Sequence, residues 1–532
     1  MLSSAGEYRG REHYPLTDDI SESARQGGKP TASGLGKEEA ARLTLLARVG
    51  MVILAGRTVV LQVLVLAANV YLARVLDPGD FGIFAIVQFV IALSTLFGDA
   101  GLGGALIQQK HEPSTVELST VFWVQTAIVT TVMAVVWVGA PWAYVLWPKL
   151  PAESTWLLRA LTFSLLFSFL RAVPAILMER ALQFGRLSAI EILNSASFYL
   201  VVVVLASLGM RVWSLVIGVV VQSFVALVAT FIARPWKPRL AFDRSVLQPM
   251  FRFGLPFQAK GVIAFANEAV MPLFAGAVLG QYGLGLINWG RTTAYFPLKL
   301  VEIVGRVSFP LYSRLRSDRT LLTREIERNV RICLTGTMLF VSVVFAIGPA
   351  LVRVIYGEKW IPALPALYVF SGAITIGFLS PIIGAAFDAI GEPQIFVRLS
   401  VFWTAVNWIS VTAVTLLAPK EHRQIAFTIG YAVHVVAGNL AVVYMMRKKL
   451  PDTNVWPRVR SAAVATVVAA ATGRLLIHPW IRGVPALVAA ILACSILFAV
   501  VLLLVDGSAR KDLEGLFERW RRMQQKRRGG QP

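Results

Sequence analysis

The chain has 532 residues, of which 56% are hydrophobic and only 15% charged, and its mean hydropathy is +0.66. A soluble protein of this size has no means of burying so much apolar surface, so soluble enzymes and soluble nucleic-acid-binding proteins are excluded and a polytopic membrane protein is implied. The basic residues behind the net charge of +21 at pH 7 sit mainly between apolar stretches, where they orient a chain in the bilayer.

Residues 1–43 are polar and lack the apolar core of a cleaved signal peptide, so a disordered cytoplasmic tail is expected. About 14 apolar stretches follow, each near the ~20 residues that a spanning helix needs. They cover 44–73, 82–107, 116–140, 156–177, 188–208, 212–232, 256–279, 284–310, 328–356, 361–388, 394–417, 423–446, 458–477 and 484–505. The expected fold is all-α and polytopic. An N-terminal six-helix bundle covers 44–232, a basic cytoplasmic linker 233–255 and a C-terminal six-helix bundle 256–446. Two extra transmembrane helices occupy 447–506, and a basic amphipathic cytoplasmic tail covers 507–532. Basic residues gather in alternate loops, at Arg234, Lys237, Arg239 and Arg244, at Arg314, Arg316, Arg319 and Arg324, and at Arg447, Lys448 and Lys449. The positive-inside rule places these loops and both termini in the cytoplasm, and attraction to anionic headgroups suffices to explain them.

The first span carries Arg57 near its middle and Asn69 toward its outer end. It closes on ARVLDPGDFGIF, where Asp77 to Asp80 break the helix and Phe81-Gly82 restart it. After the seventh span the chain reads GAVLGQYGLGLI, with Tyr282-Gly283 in the corresponding place. Both turns follow odd-numbered spans, so the repeat is parallel and relates spans one to six to spans seven to twelve. Transporters built from such halves bind cargo between them near the midplane. The second span ends in GDAGLGGALIQQK, whose glycines permit close helix approach. Asp99 there either lines a cavity mouth or sits at the cytoplasmic interface.

The stretch Pro256–Pro310 places Lys260, Asn267, Glu268, Asn288, Arg291, Lys299 and Glu302 inside otherwise apolar helices. A charge at the centre of a spanning helix costs about 2.5–3.5 kcal/mol, so such groups face a bundle interior or a water-filled cavity. At 100° per residue Arg291, Lys299, Glu302 and Arg306 fall within about 80° of arc on one face of the eighth span, a stripe that reads as the wall of a polar pathway. The alternative is a Glu302–Arg306 ion pair and a Lys260 side chain reaching toward the interface. His434 and Asn439 in the twelfth span are polar and isolated, either satisfied packing residues or, for His434, a proton relay. The two cysteines, Cys333 and Cys494, lie in apolar helices and support neither a disulfide framework nor a zinc site. No cofactor is expected. No loop is long enough to carry a glycosyltransferase or polymerase site, so the chain does not read as an enzyme.

Two runs carry a family resemblance. NVYLARVLDPGDFGIFAIVQFVIALSTLFGDAGLGGALIQQ, from Asn69, resembles the signature of the bacterial polysaccharide transporters, the Wzx-type oligosaccharide flippases. GAVLGQYGLGLINWGRTTAYFPLKLVEIVGRVSFPLYSRL, from Gly276, is similar to their second-half counterpart, and the likeness extends over roughly residues 44–450. The resemblance implies the fold of the multidrug, oligosaccharidyl-lipid and polysaccharide exporter superfamily, two six-helix bundles about a cavity lined by helices 1, 2, 7 and 8. It implies a polyprenyl-diphosphate-linked oligosaccharide as cargo, flipped across the bacterial inner membrane for cell-surface polysaccharide or exopolysaccharide synthesis. Where related chains often carry Asp in helix 7, this one has Glu268. Arginine keeps its charge at depth and offers a bidentate fork, which suits a diphosphate. Arg57, Lys260, Arg291 and Lys299 are therefore assigned to the diphosphate and acidic sugars, and Asn267, Glu268 and Asn288 to hydroxyls or charge balance. Asn69, Asp99 and Glu302 complete the candidate set. Expected partners are the lipid-linked oligosaccharide, membrane lipids, and a polysaccharide polymerase with its export machinery, with no nucleic acid. Coupling to protons, sodium or the membrane potential is compatible with this reading. The alternative is a multidrug or small-molecule antiporter of the same fold, although the excess of deep cations over deep carboxylates argues against cationic drugs.

Overall fold

The computed structural model describes residues 65–99, 101–108, 111–181, 183–453, 456–507 and 510. The expected N-terminal tail, Arg57 and most of the C-terminal tail lie outside the described residues, as do the side chains of Asp99, Lys260 and Arg306.

Every regular element among the described residues is helical. The first half holds α1 (Val65–Val75), α2 (Pro78–Asp99), α3 (Leu102–Gln108), α4 (Thr115–Gly139), α5 (Ala143–Leu146), α6 (Ser154–Leu170), α7 (Ala172–Arg180), α8 (Phe184–Ser207) and α9 (Val212–Ala233). The second half holds α10 (Arg244–Val270), α11 (Gly276–Ala294), α12 (Leu298–Leu315), α13 (Arg319–Leu351), α14 (Leu364–Gly377), α15 (Leu379–Ala389), α16 (Pro393–Leu417) and α17 (Arg423–Lys449). Beyond it, α18 (Trp456–Thr472) and α19 (Val484–Val505) both pack on α13, with Gly473 against Ala346 and Cys494. Twelve helical stretches among the described residues are long and apolar enough to cross a membrane. One of them, Gly261–Ala294, passes through Gly280 at φ +76° and holds parts of two crossings. With that division and the part of the first span in α1, the architecture agrees with the expected count. Large apolar side chains such as Leu200, Ile232 and Leu504 stand exposed on the perimeter, as lipid contact requires.

Local chemistry sets the helix starts. Ser114 opens α4 with a capping box: its hydroxyl accepts from Glu117 N at 3.2 Å, and the Glu117 carboxylate accepts from Ser114 N at 2.7 Å. Residues 234–243 run without helix along the start of α4. Arg239 N donates to Ser119 Oγ and Asp243 N to Thr120 Oγ1, both at 3.0 Å, and Trp123 Nε1 donates to Arg239 O at 2.9 Å. Asp243 then caps α10 by accepting from Ser245 N at 2.8 Å, so the helix begins at Arg244, within the stretch expected to be linker. This end of the bundle is called the linker end.

Two breaks position the polar residues. The seventh crossing passes from α10 into a five-residue π-helical segment, Met271–Ala275, that contains Pro272. The eighth turns at Tyr295–Pro297 between α11 and α12, because Pro297 brings no N–H to continue the α11 ladder. That turn corrects the expectation of a single stripe: Arg291 does not share a continuous helix with Lys299 and Glu302.

The parallel repeat is visible where α2 meets α11, at the end opposite the linker. A Cβ on Gly82 would sit 1.8 Å from Gln281 O, and one on Gly285 would sit 1.8 Å from Pro78 O. Each glycine lies one turn after the residue whose carbonyl its partner faces, so Gly82 pairs with Gly285 about a pseudo-twofold. The sequence echo, which set Gly82 beside Gly283, was out of step by two residues.

Candidate functional site

A cavity of about 790 Å³ lies between the halves, walled by α2 on one side and by α10 and α11 on the other. Its polar lining is Gln88 and Thr95 from α2, Gln258 and Glu268 from α10, and Asn288 and Arg291 from α11. Phe84, Phe89 and Phe265 supply aromatic surface, and Phe89 stacks on Phe265 across the halves with ring centres 5.2 Å apart. Gln258 Nε2 donates to Leu96 O at 2.7 Å and also joins the two halves.

Arg291 and Glu268 form the charged feature of this wall. Arg291 Nη1 donates to Glu268 Oε2 at 2.7 Å, with the arginine side chain 23% exposed and the glutamate 56%. The guanidinium carbon lies 6.0 Å from the ring centre of Tyr295, one turn on, within reach of a cation–π attraction, and Tyr431 of α17 also stands beside it. The cation is thus held from behind by aromatic rings. Its counter-ion is the more accessible partner.

The other candidates disperse. Asn267, 100° around α10 from Glu268, turns into the second half, where Asn407 Nδ2 donates to its main-chain oxygen at 3.0 Å and its side-chain oxygen at 3.1 Å. It is not among the residues lining the cavity. Asn69 Nδ2 donates to Val65 O of its own helix at 2.8 Å. Lys299 and Glu302 are exposed on α12 and face each other at 3.6 Å, away from the cavity wall. The expected Glu302–Arg306 pair falls on a side chain outside the described residues. Asp99 is the last residue of α2, and Lys260 lies between two residues of α10, Gln258 and Gly261, that line the cavity. His434 is not isolated: its Nδ1 lies 3.2 Å from Tyr431 O, its ring meets Tyr431 edge-on, and with Asn439 it lines a second, smaller cavity of about 120 Å³. Asn439 accepts from Ser380 Oγ at 2.8 Å. Among the described residues no group of His, Cys, Asp and Glu is arranged to hold a metal.

Three lining residues, Gln88, Thr95 and Gln258, escaped the sequence reading because uncharged polar groups raise no alarm in an apolar helix. The signal lay in spacing, since Gln88, Ala92 and Thr95 recur on one helical face.

The polysaccharide biosynthesis protein family matches residues 71–365, more than half of the chain. The chain belongs to this family. It is 24% identical over 404 residues to lipopolysaccharide biosynthesis protein WzxC of Escherichia coli (strain K12), over 74% of this chain and 79% of that protein. It is 25% identical over 315 residues to succinoglycan biosynthesis transport protein ExoT of Rhizobium meliloti (strain 1021), over 58% of this chain and 62% of ExoT. It is 24% identical over 277 residues to teichuronic acid biosynthesis protein TuaB of Bacillus subtilis (strain 168), over 51% and 56%. The match thus spans less than two thirds of the length of ExoT and of TuaB. Among solved structures, the lipid II flippase MurJ in its inward closed conformation superposes with a TM-score of 0.67 at 13% identity, over 85% of this chain and 98% of MurJ. An inward-facing multidrug resistance MATE family transporter superposes with a TM-score of 0.56 at 16% identity, over 74% and 96%. At such identities the likeness is one of fold, and it agrees with the two-bundle architecture expected for this polysaccharide biosynthesis protein.

Proposed function

We propose that this protein flips an oligosaccharide carried on polyprenyl diphosphate from the cytoplasmic to the outer leaflet of the bacterial inner membrane, by alternating access, for cell-surface polysaccharide or exopolysaccharide synthesis. The observation that carries the reading is the cavity between two repeated halves, with Arg291 fixed at its wall behind the accessible carboxylate of Glu268. A diphosphate oxygen that displaces this carboxylate gains charge-assisted hydrogen bonds to a guanidinium already oriented, and on departure Glu268 returns. Both charge states of the cavity are thereby neutralised. Gln88, Gln258 and Asn288 offer amides for sugar hydroxyls beside the Phe89–Phe265 stack. The names of ExoT, a transport protein, and of MurJ, a flippase of lipid II, support cargo of this class.

The basic residues Arg234, Lys237, Arg239 and Arg244 support a cytoplasmic linker end under the positive-inside rule, and the reading puts both termini in the cytoplasm. The reading needs no catalytic group. Outward movement of an anion gains about 2.3 kcal/mol per charge per 100 mV of inside-negative potential, and exchange of a proton or sodium ion would add to this. A polymerase acting on the outer leaflet is the partner that the product requires.

Depletion of the protein in a strain that makes the glycan tests the reading. Lipid-linked oligosaccharide should accumulate where an added, membrane-impermeant glycosidase fails to reach it. Unchanged exposure of the oligosaccharide at the outer leaflet, with heightened sensitivity to cationic compounds, would refute it in favour of the antiporter.

A further inference from the structure

At the end opposite the linker the two halves exchange a pair of indoles. Trp147 follows α5 in the first half, and its Nε1 donates to Pro272 O of the second half at 2.9 Å. Trp360 lies before α14 in the second half, and its Nε1 donates to Ala73 O of the first half at 2.7 Å. Both rings are buried, at 3% and 0% exposure. The parallel repeat relates the segment after α4 to the segment after α13, and α1 to the seventh crossing, so each indole makes its counterpart's bond with the halves reversed. The sequence shows the same relation: Trp147 leads into Leu150-Pro151-Ala152, and Trp360 into Leu364-Pro365-Ala366.

Each receiving carbonyl has lost the donor that a regular helix would provide. The residue four after Pro272 is Gly276, whose N–H is directed to Met271 O and Leu273 O. The residue four after Ala73 is Asp77, whose N–H donates to Asp80 Oδ2 at 3.1 Å. A carbonyl left without its helical partner in a water-poor setting needs another donor, and an indole N–H from the facing half supplies it. Gly276 also makes room, since a Cβ there would stand 2.9 Å from Trp147 Nε1. Trp360 packs on Phe81 of α2 and on Trp289 of α11, and Trp147 packs on Phe89, which belongs to the cavity wall.

We propose that Trp147 and Trp360 are reciprocal latches of the outer gate, a symmetric pair among the cross-half hydrogen bonds that must break before the cavity opens to the outside. The inference rests on the alternating-access reading above. The latches are unequal. The Trp360 side is reinforced by Lys359 Nζ, which donates to Arg74 O at 2.8 Å and Leu76 O at 2.7 Å, and by the Arg74 guanidinium, which donates to Ile355 O at 2.7 Å and to Val354 O. Loss of the Trp147 bond is therefore felt more strongly.

Phenylalanine keeps the ring and removes the donor. In the full chain bearing Ala92→Cys on the cavity wall, Trp147→Phe should raise labelling by a membrane-impermeant maleimide added from outside about two- to tenfold, the effect of one net hydrogen bond. Trp360→Phe should raise it less, and the double variant more than either. Cys333 and Cys494 are buried and stay in place. A second pair, Gly79→Cys with Gln281→Cys, reports closure directly, because a Cβ on Gly79 lies 3.8 Å from Gln281 Cγ. This pair should form a disulfide that blocks outside labelling until reduced, and should form it more slowly when Trp147 is Phe. Labelling needs no cargo, so its failure is separable from failure of the flippase assignment. Unchanged labelling and unchanged disulfide formation in Trp147→Phe would overturn the latch. A variant that does not insert at all leaves the disulfide pair in the otherwise native chain to decide: free outside labelling of the oxidised pair overturns the gate.

Discussion

Replacing Arg291 by alanine separates cargo binding from folding, because the geometry assigns very different magnitudes to the two. The ion pair with Glu268 is partly exposed on both sides, at 23% and 56%, so its contribution to stability belongs with surface pairs, about 0.2–1 kcal/mol. Glu268 left alone stays wet, so no charge is stranded in a dry interior. A hydrogen bond from the guanidinium to a diphosphate is charge-assisted and contributes about 1.5–3 kcal/mol. At about 1.36 kcal/mol per tenfold, losing one such bond slows export roughly 10- to 150-fold. Arg291→Lys should fall between wild type and alanine, since it keeps the charge and loses the planar fork. Glu268→Gln still offers Arg291 an acceptor but removes the competing charge, so it should hold cargo more tightly and release it more slowly. The assay is glycan export in cells lacking the native protein, with membrane levels of each variant measured alongside. Wild-type export by Arg291→Ala at matched membrane level would refute the role given to this residue.

Other consequences are separately measurable. Gly285→Ala would place a Cβ 1.8 Å from Pro78 O, so it should force α2 and α11 apart and lower the thermal unfolding temperature of the purified protein, with Gly82→Ala doing the same against Gln281 O. Asn407→Leu removes the donor to both oxygens of Asn267 and should cost about 1–3 kcal/mol, read as a lower unfolding temperature, with labelling of Ala92→Cys unchanged because Asn267 lies off the cavity. Asp243 is held below the usual carboxylate range by hydrogen bonds from Ser245. A lowered folded value means that its cap stabilises α10 at neutral pH and is lost only as pH falls from about 3.9 through that lower value, so proteolysis of the linker should accelerate only in strong acid, and in Asp243→Asn should lose that acid dependence.

Composition alone dictated a polytopic helical membrane protein, because apolar runs of spanning length leave the backbone no other way to satisfy its hydrogen bonds. The parallel repeat was likewise legible, in the Val-Leu turns after the first and seventh spans, and so was the place of Glu268 and Arg291 on a polar wall, since charge within an apolar helix needs a reason. What the linear pattern misjudged was direction. A wheel drawn through Pro297 placed Lys299 and Glu302 with Arg291, whereas the turn at Tyr295–Pro297 separates them. Asn267 and Glu268 are neighbours in sequence yet face different partners, Asn407 and Arg291, because one step along α10 is 100° of rotation. The roles of Trp147 and Trp360 had no local signature either. An indole in an apolar segment reads as packing until the fold brings it to a carbonyl on the other half whose own donor has been diverted. Burial and periodicity are properties of a segment and can be read from it, whereas a hydrogen bond between residues more than a hundred positions apart exists only once tertiary packing has set both ends.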